Sequence, residues 1–245
     1  MIDLHSHVLP GLDDGAADLA EAVSICQAAA VDGITMLAAT PHVRDDHPTR
    51  PEEMERRLDD VRSAVGELIA LLPGGEVALE ELDRPEAELL RFALAGNPGY
   101  LLVETPYIGW PLDIADRLFR LRAMGIAPVL AHPERNGEVQ RRPELVEPLV
   151  ATGTLVQLTA ASVDGRLGDR AGRCARTLIE RGWAHLIASD AHAPAIRAIG
   201  MRAAAEALGD PGLARWLTLD VPRAIVERAR IPERPQPSKR RRRWR

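Results

Sequence analysis

Ile2-Asp3-Leu4-His5-Ser6-His7 is a short apolar run that turns polar at its end, where two histidines stand one residue apart. Residues 2–5 read as a β-strand, and the pattern recurs along the chain. Further strand candidates cover residues 34–40, 100–104, 127–132, 154–158 and 185–189. A less regular one lies within 71–82, interrupted by Pro73-Gly74-Gly75. Nearly all are apolar throughout, as strands covered on both faces are. Amphipathic segments fall between them, at 18–32, 52–70, 112–124, 143–151 and 169–181. Gly33, Gly125, Gly153 and Gly182 stand as helix terminators. Helical pattern continues over 196–208 and 220–230. Strands that alternate with helices imply a parallel sheet, because parallel neighbours need a crossover.

Pattern alone leaves an open sheet and a closed barrel both available. The placement of the polar residues favours the barrel, in which functional side chains come from the C-terminal ends of several strands. His5, His7 and Asp14 follow the first expected strand, His42 the second and Glu76 lies at the third. Glu104 ends the fourth, His132 the fifth, and Asp190 and His192 the seventh. One imidazole is more often a core residue than a ligand. Five histidines and four carboxylates on one rim are another matter, since clustered carboxylates without cations repel one another and are forced to protonate. Divalent cations remove that cost. Mixed imidazole and carboxylate donors suit Mn, Fe or Zn better than Ca. The set is too large for one ion; shared between two or three, it leaves positions for water and substrate. His47, among Asp45, Asp46 and Pro48, reads as a surface loop residue, and His185 begins a strand; neither receives a role.

Composition narrows the classes further. The 245 residues are 46% hydrophobic but only 3% aromatic, so the core rests on Ala, Leu, Ile and Val. Cys26 and Cys174 are read as small buried hydrophobes. Cysteine-dependent tyrosine phosphatases need an Arg six positions after the nucleophile; Asp32 and Glu180 stand there, so phosphatase chemistry would rest on metals. Nothing resembles a signal peptide or a membrane helix, which gives the expectation of a cytoplasmic protein. Net charge is −5, yet residues 239–245 carry six positive charges, leaving 25 Lys and Arg against 36 Asp and Glu in the rest, a balance of −11. The expected organisation is one domain over 1–231 and a disordered Pro- and Arg-rich basic tail over 232–245.

His5-Ser6-His7, Thr40-Pro41-His42, Gly75-Glu76, His132-Pro133-Glu134-Arg135 and Ser189-Asp190-Ala191-His192 occur in the order and spacing of the polymerase and histidinol phosphatase (PHP) superfamily. The opening 1–15, MIDLHSHVLPGLDDG, resembles more narrowly the bacterial tyrosine-protein phosphatases of capsule and exopolysaccharide loci, the CpsB/YwqE type. Residues 155–159, Ser162 with Gly165, and 185–190 match as well, so the resemblance spans about residues 1–201. It implies a distorted (β/α)7 barrel with three divalent ions, Mn before Fe or Zn, at the C-terminal ends of the strands. His5, His7, Glu76 and Asp190 would surround one ion, Glu76, Glu104 and His132 a second, and Asp14, His42 and His192 a third. Arg135 and Arg197 match arginines that bind the substrate phosphate and serve catalysis. The implied activity is hydrolysis of phosphotyrosine on a protein, a tyrosine kinase controlling capsule or exopolysaccharide synthesis, by a hydroxide held on the metals. Histidinol phosphate or another small phosphate monoester is the alternative substrate, and a non-catalytic phosphoprotein-binding domain the second alternative. Asn136, where an aromatic is common, and Thr105, where an apolar residue is common, depart from the pattern near the substrate mouth and bear on specificity. No nucleic acid is expected as a partner; the basic tail is open to an acidic protein segment or a membrane surface.

Overall fold

The computed structural model describes residues 1–192 and 198–236. The expected alternation is present: β1 (Ile2–Ser6), β2 (Met36–Ala39), β3 (His42–Arg44), β4 (His47–Pro48), β5 (Ala70–Pro73), β6 (Glu76–Ala78), β7 (Tyr100–Glu104), β8 (Ala127–Ala131), β9 (Leu155–Thr159) and β10 (Leu186–Ala188), with helices between most of them. Among the described residues every strand pair is parallel except β3 with β4. The fold is therefore mixed α/β on largely parallel sheet.

The expected closed barrel is not what the ladders form. Among the described residues they divide into a three-stranded sheet, β1-β2-β5, and a seven-stranded sheet, β10-β9-β8-β7-β6-β3-β4. Two segments cross between them, each breaking at a residue that interrupts a ladder. β2 passes into β3 at Thr40-Pro41, where Pro41 has no N–H to offer and its carbonyl accepts from Glu76 N at 3.0 Å. β5 passes into β6 at Gly74-Gly75, so the awkward third strand is two short strands in different sheets. At the far side β1 meets the end of β10: Ser6 bridges Ala191, His7 N donates to Ala191 O at 2.8 Å and Asp190 N to His5 O at 2.9 Å. Asp3, buried between Ile2 and Leu4, accepts from Ser189 N at 3.0 Å and ties the same seam.

The helices follow the sequence closely where caps are explicit. The helix Leu19–Asp32 starts at Asp18, whose carboxylate accepts from Glu21 N, and stops at Gly33 in the left-handed region. Gly168–Glu180 buries Ala171, Cys174, Ala175, Leu178 and Ile179, a stripe at helical spacing that packs on the core. Other boundaries shifted: the helix expected over 52–70 is Pro51–Val65, stopped at Gly66, and that over 143–151 splits into a 3-10 turn, Pro143–Val146, and a helix, Glu147–Ala151. Of the pattern over 196–208 the described part is the helix Met201–Ala207. Beyond residue 231, Trp216 Nε1 donates to Pro232 O at 3.0 Å and Arg234 Nη2 to Ile179 O at 2.6 Å, so the start of the tail lies on the body. The expected basic stretch 239–245 lies outside the described residues. No described helix is long and apolar enough to cross a membrane.

Candidate metal centre

The polar residues that follow β1, β8 and β10, the one that ends β7, and those that begin β3 and β6 just past the crossings from β2 and β5, converge on one site. All nine predicted ligands meet there. His7, Asp14, His42 and His192 offer ligand atoms within 4.8 Å of one another; so do His5, His7 and Asp190, then His5, Glu76 and His132, then His42, Glu76 and Glu104. Glu76 lies at the middle: its Oε2 is 3.3 Å from His5 Nε2, 3.4 Å from His7 Nε2 and 2.9 Å from His42 Nδ1, while Oε1 is 2.8 Å from His132 Nε2. The imidazoles crowd as well, with the His7 and His192 rings 3.8 Å apart between centroids. All nine are buried except Asp14, which is 46% exposed at the mouth.

Electrostatics make this cluster unstable as a neutral core. Burial disfavours the charged ring of His42, but the Glu76 carboxylate beside it wins and lifts its pKa to about 10. His5 and His7 rise in the same way, against burial, through Glu76 with Asp190 and through Asp13. Glu76, Glu104 and Asp190 are correspondingly held below the usual carboxylate range by the surrounding histidines, although burial pushes them up. Protons thus do the neutralising work here that divalent ions do in a metal site. The geometry fits ions better than protons. Glu76 Oε2, Glu104 Oε1 and His42 Nδ1 are buried and make no hydrogen bond, even though His42 Nδ1 and Glu76 Oε2 are only 2.9 Å apart. Donor atoms that face a common point, rather than each other's hydrogens, suit a shared cation. Two of the nine carry backbone strain: His132 (φ 31) and Asp190 (φ 52) are non-glycine residues in the left-handed region.

Several positioning residues were not legible as such. Asp13 accepts from His7 Nδ1 at 2.7 Å, from His42 N at 2.9 Å and from Gly15 N at 2.9 Å, locking one ring by the nitrogen that faces away from the cluster. The signal for it in the sequence is the Asp13-Asp14 doublet, in which nothing local separates the ring-holding member from the ligand. Gln157 Oε1 lies 3.0 Å from His5 Nδ1 and does the same for that ring; it comes from β9, the counterpart of the expected strand 154–158, which alone of the seven expected strands carries no candidate ligand. Buried Glu134 accepts from Thr159 N at 2.8 Å. His47 is not a loop residue remote from the site: it pairs with Arg44 across the β3-β4 hairpin and its ring stacks on His42 at 5.7 Å.

Of the two expected phosphate-binding arginines, Arg135 is at the rim. It pairs with Asp190 and lies over the Tyr107 ring at 4.8 Å, and Tyr107 in turn stacks on His132 at 5.8 Å. Arg197 falls outside the described residues. The departures from the expected pattern are also placed. Asn136 Nδ2 donates to Pro106 O at 2.6 Å and Gly109 O at 2.7 Å, pinning the loop that carries Tyr107, and Thr105 lines a cavity beside Glu104. Cys26 and Cys174 are free and buried, and burial pushes both thiols up to about 12, which leaves no reactive thiolate.

Comparison with known proteins gives one consistent picture. The family model for capsular polysaccharide synthesis, CpsB/CapC, matches residues 1–211. Tyrosine-protein phosphatase YwqE of Bacillus subtilis is 35% identical over 201 residues, covering 78% of this chain and 77% of that protein. CpsB of Streptococcus agalactiae, also named a tyrosine-protein phosphatase, is 26% identical over 210 residues, covering 78% and 83%. A solved structure from work on YwqE of B. subtilis and CpsB of Streptococcus pneumoniae, described as metal-dependent tyrosine phosphatases, has a TM-score of 0.86 at 29% identity and covers 98% of this chain and 100% of that one.

Proposed function

This chain belongs to the CpsB/CapC family of capsular polysaccharide synthesis, and on that premise we propose that it is a metal-dependent phosphatase that hydrolyses phosphotyrosine on a protein. The observation that carries the reading is the convergence of nine His, Asp and Glu side chains beside the half-buried cation of Arg135 at the rim. The ligand sets we propose are His5, His7, Glu76 and Asp190 for one ion, Glu76, Glu104 and His132 for a second, and Asp14, His42 and His192 for a third. Mn is the first choice of metal, with Fe and Zn compatible with the same donors. When bound, the ions supply positive charge to the phosphate oxygens and acidity to water.

The chain's own residues do the rest. Asp13 and Gln157 hold the His7 and His5 rings by their outer nitrogens, so the inner nitrogens keep their lone pairs for the centre. Arg135, held by Asp190 and the Tyr107 face, is placed to take the phosphate oxygens as charge shifts in the transition state, with Arg197 proposed as its partner. Neither cysteine can serve as nucleophile, so the phosphoryl group passes to water without a cysteinyl intermediate. A tyrosine leaving group, with a pKa near 10, departs with modest acid help. We read the two sheets as the strands of a distorted (β/α)7 barrel, a view supported by the Ser6–Ala191 bridge at the seam. The domain we assign is 1–231 with 232–245 as a basic tail, and the substrate is a cognate tyrosine kinase in the cytoplasm. The family's part in capsule synthesis supports that choice.

The test is kcat/KM on phosphotyrosyl and phosphoseryl peptides and on histidinol phosphate. A preference of at least about tenfold for the phosphotyrosyl peptide is expected, since a site that fails to engage an aromatic body forfeits one to a few kcal/mol. Equal or faster turnover of histidinol phosphate would move the protein to small-molecule chemistry, and no single-turnover hydrolysis of bound phosphopeptide would make it a binding domain.

A further inference from the structure

Beside Glu104 lies a cavity of about 280 Å3. Arg44, Ala78 and Glu104 line it side by side from the neighbouring strands β3, β6 and β7, Thr105, Pro106 and Tyr107 continue the lining after β7, and the acidic side chains of Asp45, Asp46, Glu80 and Glu81 complete it. Roughly 150 Å3 suffices to hold a benzene ring in a protein. The cavity is therefore of a size for one aromatic ring with room to enter, and one of its lining residues, Glu104, belongs to the candidate metal centre.

Arg44 is what distinguishes this cavity from a chance gap. Its Nη1 lies 3.2 Å from Glu104 Oε2 and its Nε 2.7 Å from Asp46 Oδ1, with about a quarter of the side chain exposed. Two carboxylates at the guanidinium edge neutralise its charge and fix its plane. An arginine held in this way is a poor second phosphate anchor and a good flat wall, because guanidinium faces stack on aromatic rings. Arg135 is held differently, paired with Asp190 and already covering the Tyr107 face.

Resting on the phosphotyrosine reading above, we propose that this cavity is the slot for the substrate's phenyl ring and that Arg44 is a specificity-determining residue that stacks on it. A phosphoserine, whose phosphate sits on a single methylene, cannot reach the slot, so the aromatic body is read here while the phosphate is read by the metal centre and Arg135.

The test uses two non-hydrolysable anions with the same head, phenylphosphonate and methylphosphonate, titrated by calorimetry into manganese-loaded wild type, Arg44→Ala and Arg44→Lys. Metal content is measured in each, and kcat and KM are taken on phosphotyrosyl and phosphoseryl peptides. Wild type should bind the phenyl anion about tenfold more tightly than the methyl one. Both variants should shrink that ratio by about fivefold, with the KM for the phosphotyrosyl peptide rising more than kcat falls, because Lys keeps the charge and loses the plane. Ala78→Val, which narrows the slot on the strand beside Arg44, should shrink it too. An unchanged ratio in Arg44→Ala, full recovery in Arg44→Lys, or equal weakening of both anions with lost metal would each overturn the proposal. A wild type that turns over phosphotyrosyl peptide yet shows no phenyl preference removes the slot alone. A metal-loaded wild type that neither hydrolyses the peptide nor binds either anion removes the phosphatase reading, and the slot with it.

Discussion

Asp13 holds His7 and the backbone of His42 while contributing nothing to the ligand set itself. Outer partners of this kind typically carry 10–100-fold in metal affinity. Asp13→Asn should therefore lower manganese affinity by about that factor with the fold intact, which a competition titration against a chelator reads directly; unchanged affinity would mean the hydrogen bond is ornamental. The ligands themselves are legible one by one because each is a polar residue at or near the boundary of an apolar run, and Glu76 and His132 stand beside Gly75 and Pro133. Asp13, Gln157 and Arg44 were not, because nothing in a residue's own neighbourhood says that it will support a ring from another segment. Titration gives a second prediction at this scale. In the metal-free protein Glu76 lifts His42 to about 10, and a divalent ion must displace that proton. Protons should be released on manganese addition at pH 7, seen as a dependence of binding heat on buffer ionisation. Apparent affinity should keep rising with pH well above 6.5, since the charged ring persists up to its raised pKa; a plateau from pH 7 upward would contradict this.

At the scale of elements, the loop after β1 is the most exacting. A Cβ on Gly15 would sit 2.1 Å from His7 O and 2.5 Å from His7 Cβ, so the loop can close over the ring only with glycine there. Gly15→Ala should lower the melting temperature and metal affinity together. Gly109→Ala, where the strain is of backbone angle alone and nothing lies within 4 Å, should cost only about 1 kcal/mol and leave metal binding in place. Calorimetric melts with and without manganese separate the two. Helices and strands could be read from Asp18, Gly33 and the apolar runs because those signals are local. The division into two sheets could not. It depends on where β2 and β5 change partners, at Pro41 and at Gly74-Gly75, and a proline or glycine in a strand reports an interruption without saying which neighbour takes over. The two-turn break at Pro143–Ala151 was missed for a similar reason, since a short amphipathic pattern does not distinguish a 3-10 turn from a helix.

Over the whole molecule the charge is divided between an acidic body and the six cations of residues 239–245. An acidic body repels a phosphorylated substrate, and the centre must overcome that field locally, which is where divalent ions are effective. If the tail engages an acidic tyrosine-bearing segment of a kinase, deleting 239–245 should raise KM for that kinase at low salt, and the difference should vanish as ionic strength shortens the screening length toward 3 Å at 1 M. Equal KM for both forms across salt would assign the tail no part in substrate capture. Stripping the metals tests the role of the nine convergent ligands most directly. Protein treated with chelator and dialysed should hydrolyse phosphotyrosyl peptide at less than about a hundredth of its rate, a loss in keeping with the several kcal/mol that metal ions contribute, and manganese should restore it. Full activity in metal-stripped protein, with metal content verified as nil, would contradict the account.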